Sequence, residues 1–349
     1  MRHWIQIDSR VVAPLASIQE ETSSPARRAK GSALATTMLH PQRRTTPVRP
    51  PESCEQTMLA AGDLRATVAP EQGGRVAGFW RDNSDGSRSH ILVPMGSVRF
   101  DPLAWPKAGL YPLAPWSNRI ANARFSAAGR AVALTPHPAC PPHALHGFSH
   151  TLPWSLEKRG ATSLSMRFSH DGAGHEWPWS FEVEQSVRLD AVGLTLEMSI
   201  VNRSREPMPA GFGAHPFFAA SAGDEAAFSA GALWDVDDAG CAIAKRGLTA
   251  GDRRLRIASG SEGITAHFSE WDGIAALNRR DGSRILLQAS PELRHLVVHA
   301  PGSAGYFCLE PVSHVVDAFN LTARGQTGAG TILLEPDERR SAVVRISLL

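Results

Sequence analysis

Strict two-residue alternation is the feature that most constrains this chain. Phe181, Val183, Val187 and Leu189 alternate with Glu182, Glu184, Arg188 and Asp190; after "DAVG", Leu194, Leu196, Met198 and Ile200 alternate with Thr195, Glu197 and Ser199. Successive side chains of a strand point to opposite faces, so each run has one buried and one wet face. "DAVG" is the turn between them, and the pattern predicts a hairpin with one face in a core.

Shorter runs of the same kind recur at "DLRATVAP", "RVAGFW", "HILVPM", "TSLSMRFS", "GSRILLQAS", "LRHLVVHA" and "SAVVRISLL", bounded by Gly, Pro, Asp and Ser. No long segment carries a 3.6-residue period. Strands without intervening helices pair antiparallel and stack as sheets. The expected fold class is therefore all-β, a large antiparallel β-sandwich spanning residues 57–349 as one domain. The chain has 349 residues and is 42% apolar, enough for a sizeable core. No stretch approaches the roughly 18 uninterrupted apolar residues of a membrane helix. A net charge of +2, with no dense Lys/Arg tract beyond the N-terminal segment, gives no electrostatic case for nucleic acid or an anionic membrane as partner. Cys54, Cys140, Cys241 and Cys308 stand singly, without the paired spacing of a zinc or redox site, and read as free thiols in a reducing cytoplasm. Residues 1–56 differ from the rest. The first 50 hold eight Lys and Arg against three Asp and Glu and lack a secretory apolar region, so a disordered N-terminal extension is expected there.

Four stretches do not read as plain sandwich. In "YPLAPWSNRIANARF", Asn118 and Arg119 either satisfy their own loop or meet a polar ligand, because a buried polar group left unpaired is costly. "PPHALHGFSH" carries His143, His146 and His150. Pro141 and Gly147 argue against the helix that metal ligation at these spacings would need, and His146, beside flexible Gly147, is the best-placed hydrogen-bonding residue. In "GAHPFF", His215 and Phe217 should face one way and Pro216 and Phe218 the other. In "AGYFCLEPVSHVVDAFN", Tyr306, Cys308 and Glu310 should share one face and Phe307 and Leu309 the other, with Pro311 marking a strand end or an edge. Taken alone, His215 reads equally as a satisfied core histidine and Glu310 as half of a structural salt bridge.

These stretches, in this order, resemble the aldose 1-epimerase (galactose mutarotase) family: "NRI" at 118–120, "LHG" at 145–147, "HPFF" at 215–218, "LEP" and "DAFN", with "WPWSFEVEQSV" and "NRSREPMPAG" between them. The resemblance covers roughly residues 60–349. It implies the galactose mutarotase-like supersandwich fold and an isomerase that interconverts α and β anomers of a free hexose or related aldose, with no cofactor and no metal. By motif, Glu310 resembles the general base and His215 the general acid, each shifted upward in pKa, the histidine by the carboxylate and the glutamate by desolvation. His146 and Arg119, with Asn118 in support, are implied to hold sugar hydroxyls; Trp177 and Phe217 either offer apolar faces to the sugar or belong to the core. In "ITAHFSEWDG", Thr265 stands where the family usually has an aspartate, and Asp272 reads as a turn residue. A threonine is a weaker acceptor than a carboxylate, so specificity is expected to differ from that of glucose and galactose enzymes. Two alternatives stay open: a hexose-phosphate mutarotase, with Arg124 as a rim cation, and a non-catalytic sugar-binding protein. The expected partner is a small sugar, the expected assembly a monomer or homodimer, and the catalytic pair is expected to face one pocket about 5 to 7 Å apart with a pyranose ring between.

Overall fold

The computed structural model describes residues 5–6, 56–96, 100–173, 176–258, 263–302 and 305–349. The extension expected at residues 1–56 lies, apart from Ile5–Gln6 and Gln56, outside the described residues. Two large sheets make the sandwich. The first runs, in spatial order, Ile5–Gln6, Arg254–Ala258, Glu225–Ser229, Ile274–Asn278, Arg284–Ala289, Arg339–Leu348, Gly193–Asn202, Phe181–Leu189, Ser163–His170 and Ser155–Arg159. The second runs Ala242–Gly247, Ala232–Val236, Ile264–Ser269, His295–Ala300, Tyr306–Val312, Gly213–Ala219, Arg88–Leu92, Arg75–Asp82, Leu64–Ala69 and Thr57–Ala61, with Leu110–Leu113 paired to Gly213–Ala219 and Arg75–Asp82. Their pairings are antiparallel, except that Ile5–Gln6 joins its neighbour in parallel. Each run of alternation named above lies on one of these strands. The one α-helix among the described residues is the short Ala318–Ala323.

The predicted hairpin is present, with Leu189 opposite Leu194. Phe181–Leu189 alternates between buried and less buried residues along its length. Its turn is fixed by Asp190, whose Oδ1 accepts from the N–H groups of Val192 (2.9 Å) and Gly193 (3.1 Å), the self-bonding turn for which aspartate is suited. The inner faces of both sheets meet in one large apolar cluster containing Leu196, Val344, Phe218, Phe307 and Leu309.

The middle of the second sheet departs from simple alternation. Gly213–Ala219 and Tyr306–Val312 are buried on both faces except at one end, because a second, smaller apolar cluster of Trp105, Tyr111, Leu113, Phe217, Val297, Cys308 and Val312 covers the face turned away from the sandwich. Phe218, Phe307 and Leu309 go to the large cluster and Phe217 and Cys308 to the small one, the division that strand parity predicts. Pro311 is the last residue but one of its strand, a strand end as expected, although that strand lies inside the sheet.

Candidate active site

The outer face of the second sheet brings the predicted acid and base together. Gly213 pairs with Val312 and Phe217 with Cys308, a register that sets His215 opposite Glu310. Their side chains touch: His215 Nε2 lies 3.2 Å from Glu310 Oε1. Both residues are buried, at 6% and 2% exposure. His215 Nδ1 and Glu310 Oε2 have no protein partner. Tyr111, paired with His215 across the neighbouring strand, stacks on its ring at 4.6 Å, and Phe217 stacks at 4.6 Å as well.

Burial governs the electrostatics of the pair. Desolvation raises Glu310 to about 8, with the positive charge of Lys107 opposing it weakly. The same desolvation holds His215 well below the usual imidazole range, helped by His146, His299 and Lys107. The upward shift expected for His215 is thus corrected: taking the imidazolium out of water costs more than the neighbouring carboxyl, itself largely protonated, returns. At neutral pH the pair therefore carries one proton and no net charge.

His146 is held from below. The Asn118 N–H donates to His146 Nδ1 (2.9 Å) and the His146 N–H donates to the Asn118 carbonyl (3.0 Å). The neutral ring therefore carries its proton on Nε2, as a donor, and it lies 5.3 Å from His215, nearly perpendicular to it. Asn118 is occupied locally, its Oδ1 accepting from the Arg119 N–H (2.9 Å). Both Asn118 and His146 adopt left-handed φ values, 57° and 61°. Gly147 follows with φ 71°, where a Cβ would stand 2.2 Å from the Ala114 carbonyl oxygen, so "LHG" needs its glycine.

Two residues that motif reading left without a role anchor this loop. His314 accepts from the Ser117 N–H at Nε2 (3.1 Å) and donates from Nδ1 to the Val315 carbonyl (2.7 Å). Asp317, in the "DAFN" stretch, accepts at Oδ1 from the Ala121 N–H (2.9 Å) and from Asn320 Nδ2 (2.7 Å), while its own N–H donates to the Arg119 carbonyl (2.9 Å). Both are buried. Together they clamp the two ends of the Ser117–Ala121 segment and so set where Arg119 starts.

The model of the aldose 1-epimerase family matches residues 56–347. The chain belongs to that family. As an aldose 1-epimerase family member it is 29% identical over 275 residues to the uncharacterized protein YphB of Escherichia coli (strain K12), covering 74% of this chain and 88% of YphB. A galactose mutarotase-like protein from Clostridium acetobutylicum superposes with a TM-score of 0.72 at 22% identity, covering 84% of this chain and 94% of that one. A GalM/aldose epimerase homologue from C. elegans superposes at 0.70 and 15% identity, covering 84% and 98%. At these identities the solved structures establish the fold.

Within the family fold, the remaining predicted residues divide. Thr265 is half-buried on the same face, its Oγ1 2.8 Å from His299 Nδ1. Thr265 pairs with His299, and His299 with Cys308, so this row runs beside the one that carries His215 and Glu310. Trp177 is a correction. It is fully buried against Trp116, Phe125, Trp179 and Phe319 and has no free face for a sugar; the apolar group at the pair is Phe217. Asp272 is the turn residue expected, accepting from the Ile274 N–H (3.1 Å). Arg124 is exposed on a small hairpin; the cations whose charges reach the site imidazoles are Lys107 and Arg119. Lys107, Tyr111 and His299 were not singled out by motif. Only His299 had a signal, as a polar residue on the same strand face as Val297.

His143 accepts from the Asn122 N–H (3.1 Å) and His150 stacks on Tyr111 at 5.0 Å. The three histidines of that stretch do not form a donor cluster among the described residues. The donor set there that could hold a metal ion is His215, Cys308 and Glu310, with ligand atoms within 4.8 Å of one another, which places it on the pair itself. Cys140, Cys241 and Cys308 are free thiols, and Cys54 lies outside the described residues. No helix among the described residues is long and apolar enough to cross a membrane.

Proposed function

We propose that the protein interconverts the α and β anomers of an aldose by acid–base ring opening, with Glu310 and His215 as the catalytic residues. The 3.2 Å contact between His215 Nε2 and Glu310 Oε1 carries this reading. Anomerisation removes a proton from the C1 hydroxyl and delivers one to the ring oxygen. Both oxygens are bonded to the same carbon, so the base and the acid must be neighbours. The separation of about 5 to 7 Å expected from sequence, with a ring between the two groups, is corrected for that reason: the pair needs to straddle one carbon.

The single proton of the buried pair suits this chemistry. With that proton on the imidazole, Glu310 is a carboxylate beside an imidazolium. Glu310 then takes the O1 proton as His215 gives its proton to the ring oxygen, the C1–O5 bond breaks and C1 becomes a carbonyl. The proton now resides on Glu310 and His215 is neutral. Rotation about C1–C2 and the reverse transfers close the ring on the other face. His146, with its proton on Nε2, and Arg119 supply donors for sugar hydroxyls and for charge at the ring oxygen.

Polarimetry of freshly dissolved α-D-glucose and α-D-galactose, and exchange NMR for other aldoses, tests the reading. The wild-type protein accelerates anomerisation of an aldose and Glu310→Gln loses about 10³-fold, the usual scale of general acid–base catalysis. Acceleration that survives in Glu310→Gln, or no acceleration of any aldose, overturns it.

A further inference from the structure

One fully buried charge has no acid beside it. Arg75 opens the strand Arg75–Asp82 and is 0% exposed, yet no carboxylate lies within ion-pair distance of it among the described residues. Its guanidinium donates from Nε to the Gln72 carbonyl (3.2 Å) and from Nη2 to the His150 carbonyl (3.5 Å), and Nη1 is a buried donor without a partner. Burial brings its pKa down only to about 10, so it stays charged at neutral pH. Elsewhere arginines are matched to acids, as in Arg203–Glu182 and Arg345–Asp190. A buried cation without a partner lowers stability, and an apolar side chain of similar size would not. Packing alone therefore gives no reason for an arginine here.

In place of an acid, Arg75 has two rings: its Cζ lies 4.5 Å from the centre of Tyr111 and 5.2 Å from that of Phe100. Tyr111 leads to the site. Val76 pairs with Leu110, and His215 with Tyr111, so Arg75 and His215 come to the Tyr111 ring from the strands on its two sides. The outer face thus carries Arg75, Tyr111, His215 and Glu310 in one row. His215 lies 4.6 Å from the Tyr111 ring and 28° from its plane. One π cloud serves a permanent cation on one side and, on the other, an imidazole that becomes cationic during the proposed reaction. Electron density drawn towards Arg75 is lost to His215. The other groups facing His215 are Glu310, Phe217 and His146, with Lys107, His299 and His150 beyond them. Lys107 is exposed, whereas Arg75 has no water to screen it.

Resting on the proposed reaction, we propose that Arg75 is a positioning residue: through the Tyr111 ring it holds the plane of His215 against Glu310 and withholds from the imidazolium the stabilisation an aromatic face would give, so that the proton passes readily from Nε2 to the sugar ring oxygen. Two variants test this, Arg75→Met, which fills the space without charge, and Arg75→Gln, which keeps a donor. Both are expected to melt no lower than the wild type, with kcat reduced about tenfold and KM unchanged. In the ligand-free protein, heteronuclear NMR of the histidine rings is expected to show the His215 midpoint about one pH unit higher in both variants, the scale of one cation–π contact. The acid limb of kcat should move with it. Loss of the fold in both variants makes Arg75 structural and overturns the inference, as does a folded variant whose His215 titration and kcat are those of the wild type. The titration needs no substrate, so the two readings separate: turnover of no aldose removes the mutarotase, while an unmoved His215 midpoint removes the role of Arg75 alone.

Discussion

At the scale of single residues, His215 and Glu310 exchange the charges that sequence intuition gives them. In the proposed mechanism, a glutamate raised to about 8 beside a histidine held well below 6.5 is competent while the pair keeps its one proton. The pH profile of kcat/KM is expected to stay level through neutrality, fall above about pH 8 as that proton leaves, and fall on the acid side only well below 6.5. The same shift has a cost in stability. The folded value of Glu310 lies above its unfolded 4.5, so from about pH 4.5 to 8 the folded state binds a proton that the unfolded state has released, and stability declines as pH rises through that window. Glu310→Gln removes this term. Calorimetry should show the variant gaining roughly 1–3 kcal/mol at pH 8 and nothing comparable at pH 4, while activity is lost. The faces these two residues occupy were legible in strand parity. The direction of the histidine shift was not, because it depends on Tyr111, Trp105 and Val297 arriving from elsewhere in the chain to exclude water.

At the scale of elements, the site loop is held by side chains more than by regular structure. Asp317→Ala deprives the Ala121 N–H and the Asn320 amide of their acceptor, and the expected loss is about 1–3 kcal/mol of stability, with a raised KM because Arg119 loses its anchor; urea denaturation and saturation kinetics separate the two effects. Asp190→Ala tests the hairpin. It removes the turn acceptor and the fork to Arg345, whose Nη1 and Nη2 reach Asp190 at 2.9 and 3.0 Å, and about 1 kcal/mol should go with them. Alternation placed the strands well because one-face burial is a local pattern. It could not place the pair's environment, since Gly213–Ala219 is buried on both sides by two clusters that no local window contains. Of the two readings of Trp177, sugar platform and core, the structure takes the core, for a related reason: tryptophan is used for both purposes, and only its neighbours, Trp116, Phe125 and Phe319, decide which. Trp177→Phe should lower the melting temperature, by roughly 1–3 kcal/mol of stability, without moving KM.

At the scale of the whole molecule, residues that build the site come from position 107 to position 317, and the sandwich assembles them across its middle rather than at a rim. The strand Arg339–Leu348 has a particular place in that assembly. It lies between Arg284–Ala289 and Gly193–Asn202, and within the first sheet it alone joins the strands on one side to those on the other. A chain being synthesised has therefore made every residue of its site before it has made the strand that closes the sheet beneath it. Until residues 339–348 are made, Arg284–Ala289 and Gly193–Asn202 lack the partner between them, and open edges of that kind pair with other chains. Arg339–Leu348 is thus the last-made strand of the first sheet, and the seam on both its sides is the last part of that sheet to be closed.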